Sequence, residues 1–129
     1  MWITPKTNWV ETDTITAEDF NRICGNISIV KDEISFISAT NIEMPIDFKE
    51  TWEQYGIPLY NECKAIVDYL TNINNANEVT EVIPSEFKYN YVELNQIETF
   101  LNAEHTWYLS AMEDMAYTTE IYANERGYI

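Results

Sequence analysis

The sequence predicts a small all-α protein, a bundle of three to four helices preceded by an extended N-terminal arm. Three stripes of apolar residues recur at helical spacing, and each stripe has its own start signal. The 129 residues fit a single domain, and a domain of this size buries roughly two-thirds of the surface of its unfolded chain. We therefore divide the chain into an arm, residues 1–16, and a helical domain, residues 17–129.

The arm and the first helix are separated by a capping signal. The arm contains Pro5 and several threonines and lacks helical periodicity, which predicts an extended segment. Thr16 can cap the first helix, and Asp19 completes a capping box three residues later. We expect this helix over residues 17–37, where apolar residues recur at steps of one, three and four: Phe20, Ile23, Cys24, Ile27, Val30, Ile34 and Ile37. Gly25 costs about 1 kcal/mol against alanine inside a helix, which predicts the close approach of another element there.

The middle of the chain contains an irregular segment and the second helix. Residues 38–56 lack a regular pattern, with a short helical turn expected over residues 48–55. Pro58 suits the first position of a helix, because its missing N–H would be unpaired there anyway. We expect this helix over residues 58–72, ended by the run "NINNAN", with a stripe of Leu59, Cys63, Ile66, Val67, Leu70 and Ile73. Residues 79–84, "VTEVIP", predict a short extended connector or at most an edge strand.

The third helix has a second capping box. Asn90 can cap it, with Glu93 at the third position, and we expect the helix over residues 91–117. Its apolar residues also recur at helical spacing: Leu94, Ile97, Leu101, Tyr108, Ala111, Met112 and Met115. The tail can continue the helix toward Asn124 before Gly127 breaks it.

The starts of the first and third helices repeat one another. The string "EDFNRI", which ends at Ile23, aligns with "VELNQI", which ends at Ile97, and each copy has a cap residue three before its acid. The match reflects either a duplication or the general likeness of capped amphipathic helices. We expect Phe20 and Leu94, inside the two strings, to face the same core as these two isoleucines.

The charge restricts the classes of partner. The formal net charge is -15, from 22 acids against 7 bases, and such a surface repels phosphate and anionic lipid headgroups. We therefore expect neither nucleic acid nor membrane as a partner. The acids form either a solvated surface or the carboxylate array of a DNA mimic that inhibits a host nucleic-acid enzyme. The N-terminus has no secretory pattern, and Cys24 and Cys63 fit buried small side chains in a reducing cytoplasm.

The sequence lacks the patterns of an enzyme, so we expect no catalytic, cofactor-binding or metal-binding residues. There is no GxSxG, HExxH, GxxxxGK[ST] or GxGxxG motif. His105 is the single histidine, and Asn102 stands three residues before it, where a di-metal helical bundle needs glutamate. Glu98, Glu104 and Glu113 share one helix, but a chain with three glycines has few loops to build the cleft of a glycosidase.

The N-terminal stretch "TPKTNWVETDTITAEDFNRI" resembles a known module. In tail and baseplate structural proteins from phages and prophages of Gram-positive bacteria, a "TPKT-x-W" arm leads through a polar spacer into a helix with "D-[FYL]-N-R-I". The matching positions here are Thr4, Pro5, Lys6, Thr7, Trp9, Asp19, Phe20, Asn21, Arg22 and Ile23. Cys24 stands where the family usually has glutamate, and "LNQIE", ending at Glu98, is similar to a later "N-R-I-E" helix of the family.

The resemblance implies a non-enzymatic component of a phage or prophage tail. The family modules usually precede a long fibre region, so the short chain favours a baseplate, fibre adaptor or accessory part. Its expected partners are other tail or virion proteins and copies of itself, and its expected location is the virion, or the bacterial cytoplasm before assembly. The candidate interaction residues are Trp2, Pro5 and Trp9, because large aromatic side chains dominate interfaces. The alternative is that Trp2 and Trp9 cover their own bundle.

Overall fold

The structure is a computed structural model that describes the backbone of residues 1–77 and 82–125 and the side chains as far as Ala116. Helices account for all of its regular elements, since no described residue belongs to a strand. They are α1, Ala17–Ser38; α2, Tyr60–Ala76; and α3, Tyr91–Glu125. The predicted all-α bundle is confirmed.

Helix α1 begins and ends close to the predicted residues. At its start the Thr16 amide donates to the Asp19 carboxylate at 2.9 Å, and the Asp19 amide donates to the Thr16 hydroxyl at 3.3 Å. This reciprocal pair is the predicted capping box. The helix ends where Ala39 adopts a left-handed conformation with φ of 53°.

Gly25 does not mark the close approach of another element, so that prediction was wrong. A Cβ added at Gly25 would meet no atom within 4 Å, and the residue is exposed. The glycine therefore lies on the solvent face of α1, opposite the stripe that faces the core.

Helix α2 starts later and ends later than predicted. Pro58 precedes the N-cap residue Leu59 and is not the first helical residue. The helix passes Asn72 and continues to Ala76. Ile73 is fully buried, and such packing outweighs the low helix propensity of the asparagine-rich sequence around it.

Helix α3 is the longest element and passes the predicted end near Tyr117. Its 35 residues give a length of roughly 52 Å at 1.5 Å per residue, against roughly 33 Å for the 22 residues of α1. Leu109 is 53% exposed, and Met115, which was assigned to the buried stripe, is 52% exposed. The apolar stripe of α3 is therefore covered in the first half of the helix and open further along.

The segments between helices contain turns and extended chain. The prediction of a helical turn over residues 48–55 is wrong, because this part of the chain contains only isolated turns. In one the Phe48 amide donates to the Pro45 carbonyl, and in the other the Gly56 amide donates to the Glu53 carbonyl. Residues 79–81 of the predicted connector lie outside the described residues. Residues 82–84 belong to neither a helix nor a strand.

The three helices run parallel. Arg22 of α1 meets Glu98 of α3 near both helix starts, and Glu33 meets His105 further along both helices. The last residue of α2 lines the same cleft as Ile37 near the end of α1. Parallel neighbours require a return segment across the length of the bundle, which explains the long segments before α2 and α3.

One core joins the helices with the segments between them. Both repeated helix starts contribute to it as predicted, since Phe20, Ile23, Leu94 and Ile97 are at most 3% exposed. The arm and the return segments also supply buried residues: Trp9, Ile42, Phe48, Trp52 and Phe87. The arm of residues 1–16 is thus packed on the helical domain.

Candidate interaction site

Trp9, a predicted interaction residue, is 3% exposed and is held by Asn95 of α3. The Trp9 amide donates to Asn95 Oδ1 at 2.8 Å, and Asn95 Nδ2 donates to the Trp9 carbonyl at 3.0 Å. A side-chain amide offers one donor group and one acceptor, so it satisfies both backbone groups as a neighbouring strand would. We call this arrangement, a tryptophan backbone held by an asparagine side chain, a tryptophan clasp.

Glu98 is a fully buried carboxylate at which the arm, α1 and α3 meet. It accepts hydrogen bonds from the Trp9 indole Nε1 and from the Lys6 amide, the latter at 3.0 Å. Arg22 donates to both of its oxygens, through Nε at 2.8 Å and through a terminal nitrogen at 2.9 Å. The two oxygens therefore receive four bonds, which is about the full acceptor capacity of a carboxylate.

The charges around Arg22 are balanced by its neighbours. Burial by itself would lower the pKa of Arg22, but hydrogen bonds to Glu98 and Asp19 outweigh burial and raise that pKa. Burial would likewise raise the pKa of Asp19, yet hydrogen bonds from Arg22 and Thr16 outweigh it and lower that pKa. Arg22 and Asp19 are therefore both charged at neutral pH, 2.8 Å apart.

The tip of the arm is held by two further contacts. Asn26 is 1% exposed and bonds to both backbone groups of Ile3. Its Oδ1 accepts from the Ile3 amide at 3.1 Å, and its Nδ2 donates to the Ile3 carbonyl at 2.7 Å. The ring of Trp2 stacks on His105 at 3.9 Å, and His105 Nδ1 lies 2.8 Å from a Glu33 carboxylate oxygen. Burial raises the pKa of Glu33.

The predicted interaction residues therefore face their own bundle. Trp9 lies in the core, while Trp2 and Pro5 are partly buried. The alternative in which the two tryptophans cover their own helices is the arrangement that the structure shows. The Trp9 ring is not available to a neighbouring protein in this structure, because it is buried and its indole N–H is already bonded to Glu98.

The predicted cap residues stand at the helix starts as expected. Asn90 Oδ1 accepts from the Glu93 amide at 2.9 Å, and a Glu93 oxygen accepts from the Asn90 amide at 3.4 Å. Thr16 and Asp19 form the matching box on α1. These four residues fix where two helices begin and form no site of their own.

A second tryptophan clasp repeats the first on α1. The Trp52 amide donates to Asn21 Oδ1 at 2.6 Å, and Asn21 Nδ2 donates to the Trp52 carbonyl at 3.1 Å. The Trp52 indole N–H lies 3.3 Å from Cys24 Sγ, three residues after Asn21, just as the other indole bonds to Glu98, three residues after Asn95. Asn21 and Asn95 occupy equivalent positions of the repeated helix starts, which supports a true internal repeat.

Each clasped tryptophan has a lysine three residues before it. Lys6 Nζ lies 4.1 Å from the ring centre of Trp9, and Lys49 Nζ lies 4.9 Å from that of Trp52, both in cation–π range. A helix begins eight residues after each tryptophan. The repeated unit is therefore an arm followed by a helix, and the arm is clasped by a different helix from the one it precedes.

Sequence reasoning missed the structural role of Glu98 and the asparagine partners of both clasps. Two signals in the sequence mark the tryptophans and Glu98, although neither identifies the asparagines. The pattern Lys-x-x-Trp occurs at residues 6–9 and again at residues 49–52. In addition, Glu98 directly follows Ile97, the last residue of "LNQI", on the apolar side of the predicted helix. An unpaired charge would be costly at such a position.

Comparison with known proteins gives no relative, since no family model, no curated protein and no solved structure matches the chain. Within the described part of the chain, no group of His, Cys, Asp and Glu side chains is placed to hold a metal ion. None of the helices there has the length and apolar character of a membrane span.

Proposed function

We propose that this chain is a non-enzymatic structural component of a phage or prophage tail. It acts through protein–protein contacts, as a baseplate, fibre adaptor or accessory part. Its partners are other virion proteins and, because tails are symmetric assemblies, further copies of itself.

One observation carries the proposal. The sequence stretch that resembles the tail family has two parts, the "TPKTNW" arm and the "DFNRI" helix, and residues of both parts meet at Glu98. Lys6 and Trp9 come from the arm, and Arg22 comes from the helix. The two parts therefore have a physical reason to occur together, which supports a shared fold as the origin of the resemblance.

The buried polar side chains support a scaffold role. Asn21, Asn26 and Asn95 hold backbone groups of extended segments, and Glu98 joins an arm to two helices. Side chains engaged in this way fix the position of the backbone. They favour a rigid part that presents its surface to neighbours.

The charge distribution supports protein partners. Among the described residues every lysine and arginine lies within salt-bridge distance of a carboxylate. The pairs span 2.8 to 3.6 Å: Lys6–Asp13, Arg22–Asp19, Arg22–Glu98, Lys31–Asp32, Lys49–Glu62, Lys64–Asp68 and Lys88–Glu86. The remaining acids leave a negative surface that repels packaged DNA and membrane headgroups.

Mass spectrometry of purified particles tests the proposal. A lysogen carrying the gene is induced, and particles are compared with those from a deletion strain and from the same strain complemented with the gene. We expect peptides of this chain in wild-type and complemented particles and their loss from the deletion strain. Finding the protein only in the cell lysate, bound to a host nuclease or polymerase, would reject the tail role in favour of an acidic inhibitor.

A further inference from the structure

Each helix follows a connector, and the last residues of the three connectors can be compared position by position from the N-cap. The comparison uses the N-cap residue and the residues two and four before it, all nine of which are exposed. In the connectors before α1 and α3 these residues are polar: Thr12, Thr14 and Thr16, and Glu86, Lys88 and Asn90. In the connector before α2 they are Tyr55, Ile57 and Leu59, which are 89%, 80% and 61% exposed.

Leu59 also occupies a position where its side chain costs stability. It is the N-cap of α2 and makes no side-chain capping bond, whereas Thr16 and Asn90 cap α1 and α3 through their side chains. Threonine or asparagine at an N-cap is more stabilising than an aliphatic residue. Because Leu59 is mostly exposed, burial within this chain does not compensate for the lost cap.

The apolar connector is continuous with a groove at the start of α1. The groove has a volume of about 610 Å³, and Trp52, Gln54 and Tyr55 line one side of it while Glu18 and Asn21 line the other. Immediately after the connector, the first residue of α2 adds a tyrosine ring that is 77% exposed. Exposed large apolar side chains grouped within six residues in this way are typical of a protein-binding surface.

The charges around this surface are acidic. Glu18 in the groove and Glu50 and Glu53 just before the connector are all exposed. The nearby base, Lys49, is paired with Glu62 at 3.6 Å and lies against the Trp52 ring. The surface thus has an apolar centre and a negative edge.

We propose that Tyr55, Ile57, Leu59 and Tyr60 form a docking surface for a partner protein whose contact surface has an apolar centre and lysine or arginine at its edge. Such a partner matches both the exposed rings and the acidic edge, and complementary charge speeds association and selects against other partners. A second copy of this chain would place carboxylates opposite carboxylates. The assignment goes beyond the tail proposal and does not depend on it, because it follows from the three connectors, the groove and the charges around them.

A variant that copies the polar connector separates docking from folding. The triple variant Tyr55→Thr, Ile57→Thr, Leu59→Thr takes the residue type found before α1. We expect it to melt at the same temperature as the wild type or higher, because Leu59→Thr supplies the missing cap. Ile46→Thr is the matched control, since Ile46 is 99% exposed and lies outside the surface.

The binding probe is a library of random peptides selected on the wild-type protein. We expect enriched peptides to combine aliphatic or aromatic residues with lysine or arginine, and to bind the triple variant at least about tenfold more weakly than the wild type or Ile46→Thr. Peptides that bind the triple variant equally well, or that are acidic, would overturn the proposal. So would a lower melting temperature of the triple variant, or sedimentation showing a wild-type dimer that the triple variant cannot form.

Discussion

At the scale of single residues, Glu98 depends on having all of its partners in place. Taking a carboxylate out of water costs several kcal/mol, and only near-ideal geometry with further hydrogen bonds offsets that cost. Glu98 meets this condition through the Arg22 guanidinium, the Trp9 indole and the Lys6 amide. Its importance therefore lies in what is left unpaired when it is changed.

Glu98→Gln should destabilise the protein by about 3 kcal/mol, because it removes one partner of a buried ion pair. Asp19 then remains as the only carboxylate paired with Arg22. Chemical denaturation followed by circular dichroism measures the loss. Asp68→Asn is the matched control, since the Lys64–Asp68 pair lies on the surface, where ion pairs contribute little. Equal midpoints for Glu98→Gln and the wild type would show that the buried bonds contribute nothing.

The two cysteines should be unreactive in the folded protein. Burial raises the pKa of the Cys24 thiol to about 12 and, together with nearby carboxylates, that of Cys63 to about 11. The reactive thiolate is therefore scarce at mildly alkaline pH. We expect Ellman's reagent to label neither residue in native buffer and both in denaturant. Rapid labelling of the native protein would place at least one thiol at the surface.

At the scale of elements, α1 contains a glycine whose replacement should be stabilising. Gly25 is exposed, and a Cβ there would touch nothing within 4 Å. Gly25→Ala should therefore raise the free energy of unfolding by about 0.5–1 kcal/mol through lower backbone entropy in the unfolded state. Thermal melting measures the gain. A lower melting temperature would mean that another element does approach α1 at this position.

The arm should behave as part of the folded domain. Deleting residues 1–10 removes Trp9 from the core and two donors from Glu98, so we expect a clear drop in melting temperature. Deleting Met1 alone is the control, because this residue is fully exposed. An outward arm, as the sequence allowed, would instead leave the melting temperature unchanged. Circular dichroism of the three proteins distinguishes the two cases.

The helices were predictable from sequence because their signals are local. The capping box of Thr16 and Asp19 and the apolar stripes lie within a few turns of one another. The end of α2 was misplaced because asparagine-rich sequence has low helix propensity, whereas the burial of Ile73 depends on the tertiary packing. The tryptophan clasps were not predictable, since Trp9 and Asn95 are 86 residues apart and no local pattern joins them.

At the scale of the whole molecule, the clasps explain how three parallel helices form one unit. The segments that connect parallel helices must run back along the bundle, and unpaired backbone groups in them would be costly once buried. Asparagine side chains satisfy such groups at Trp52, in the return segment before α2, and at Trp9, in the N-terminal arm. The arm and the return segments consequently belong to the same core as the helices.

Hydrogen exchange of the Lys6 and Trp9 amides, followed by NMR, tests most directly whether the arm belongs to the same core as the helices. These amides donate to Glu98 and Asn95, so they should open only when the bundle unfolds. We expect both to exchange as slowly as the core amides of α1, and Glu98→Gln to accelerate all of them together. Exchange of Lys6 and Trp9 at the rate of an unstructured peptide, while α1 remains protected, would contradict a clasped arm.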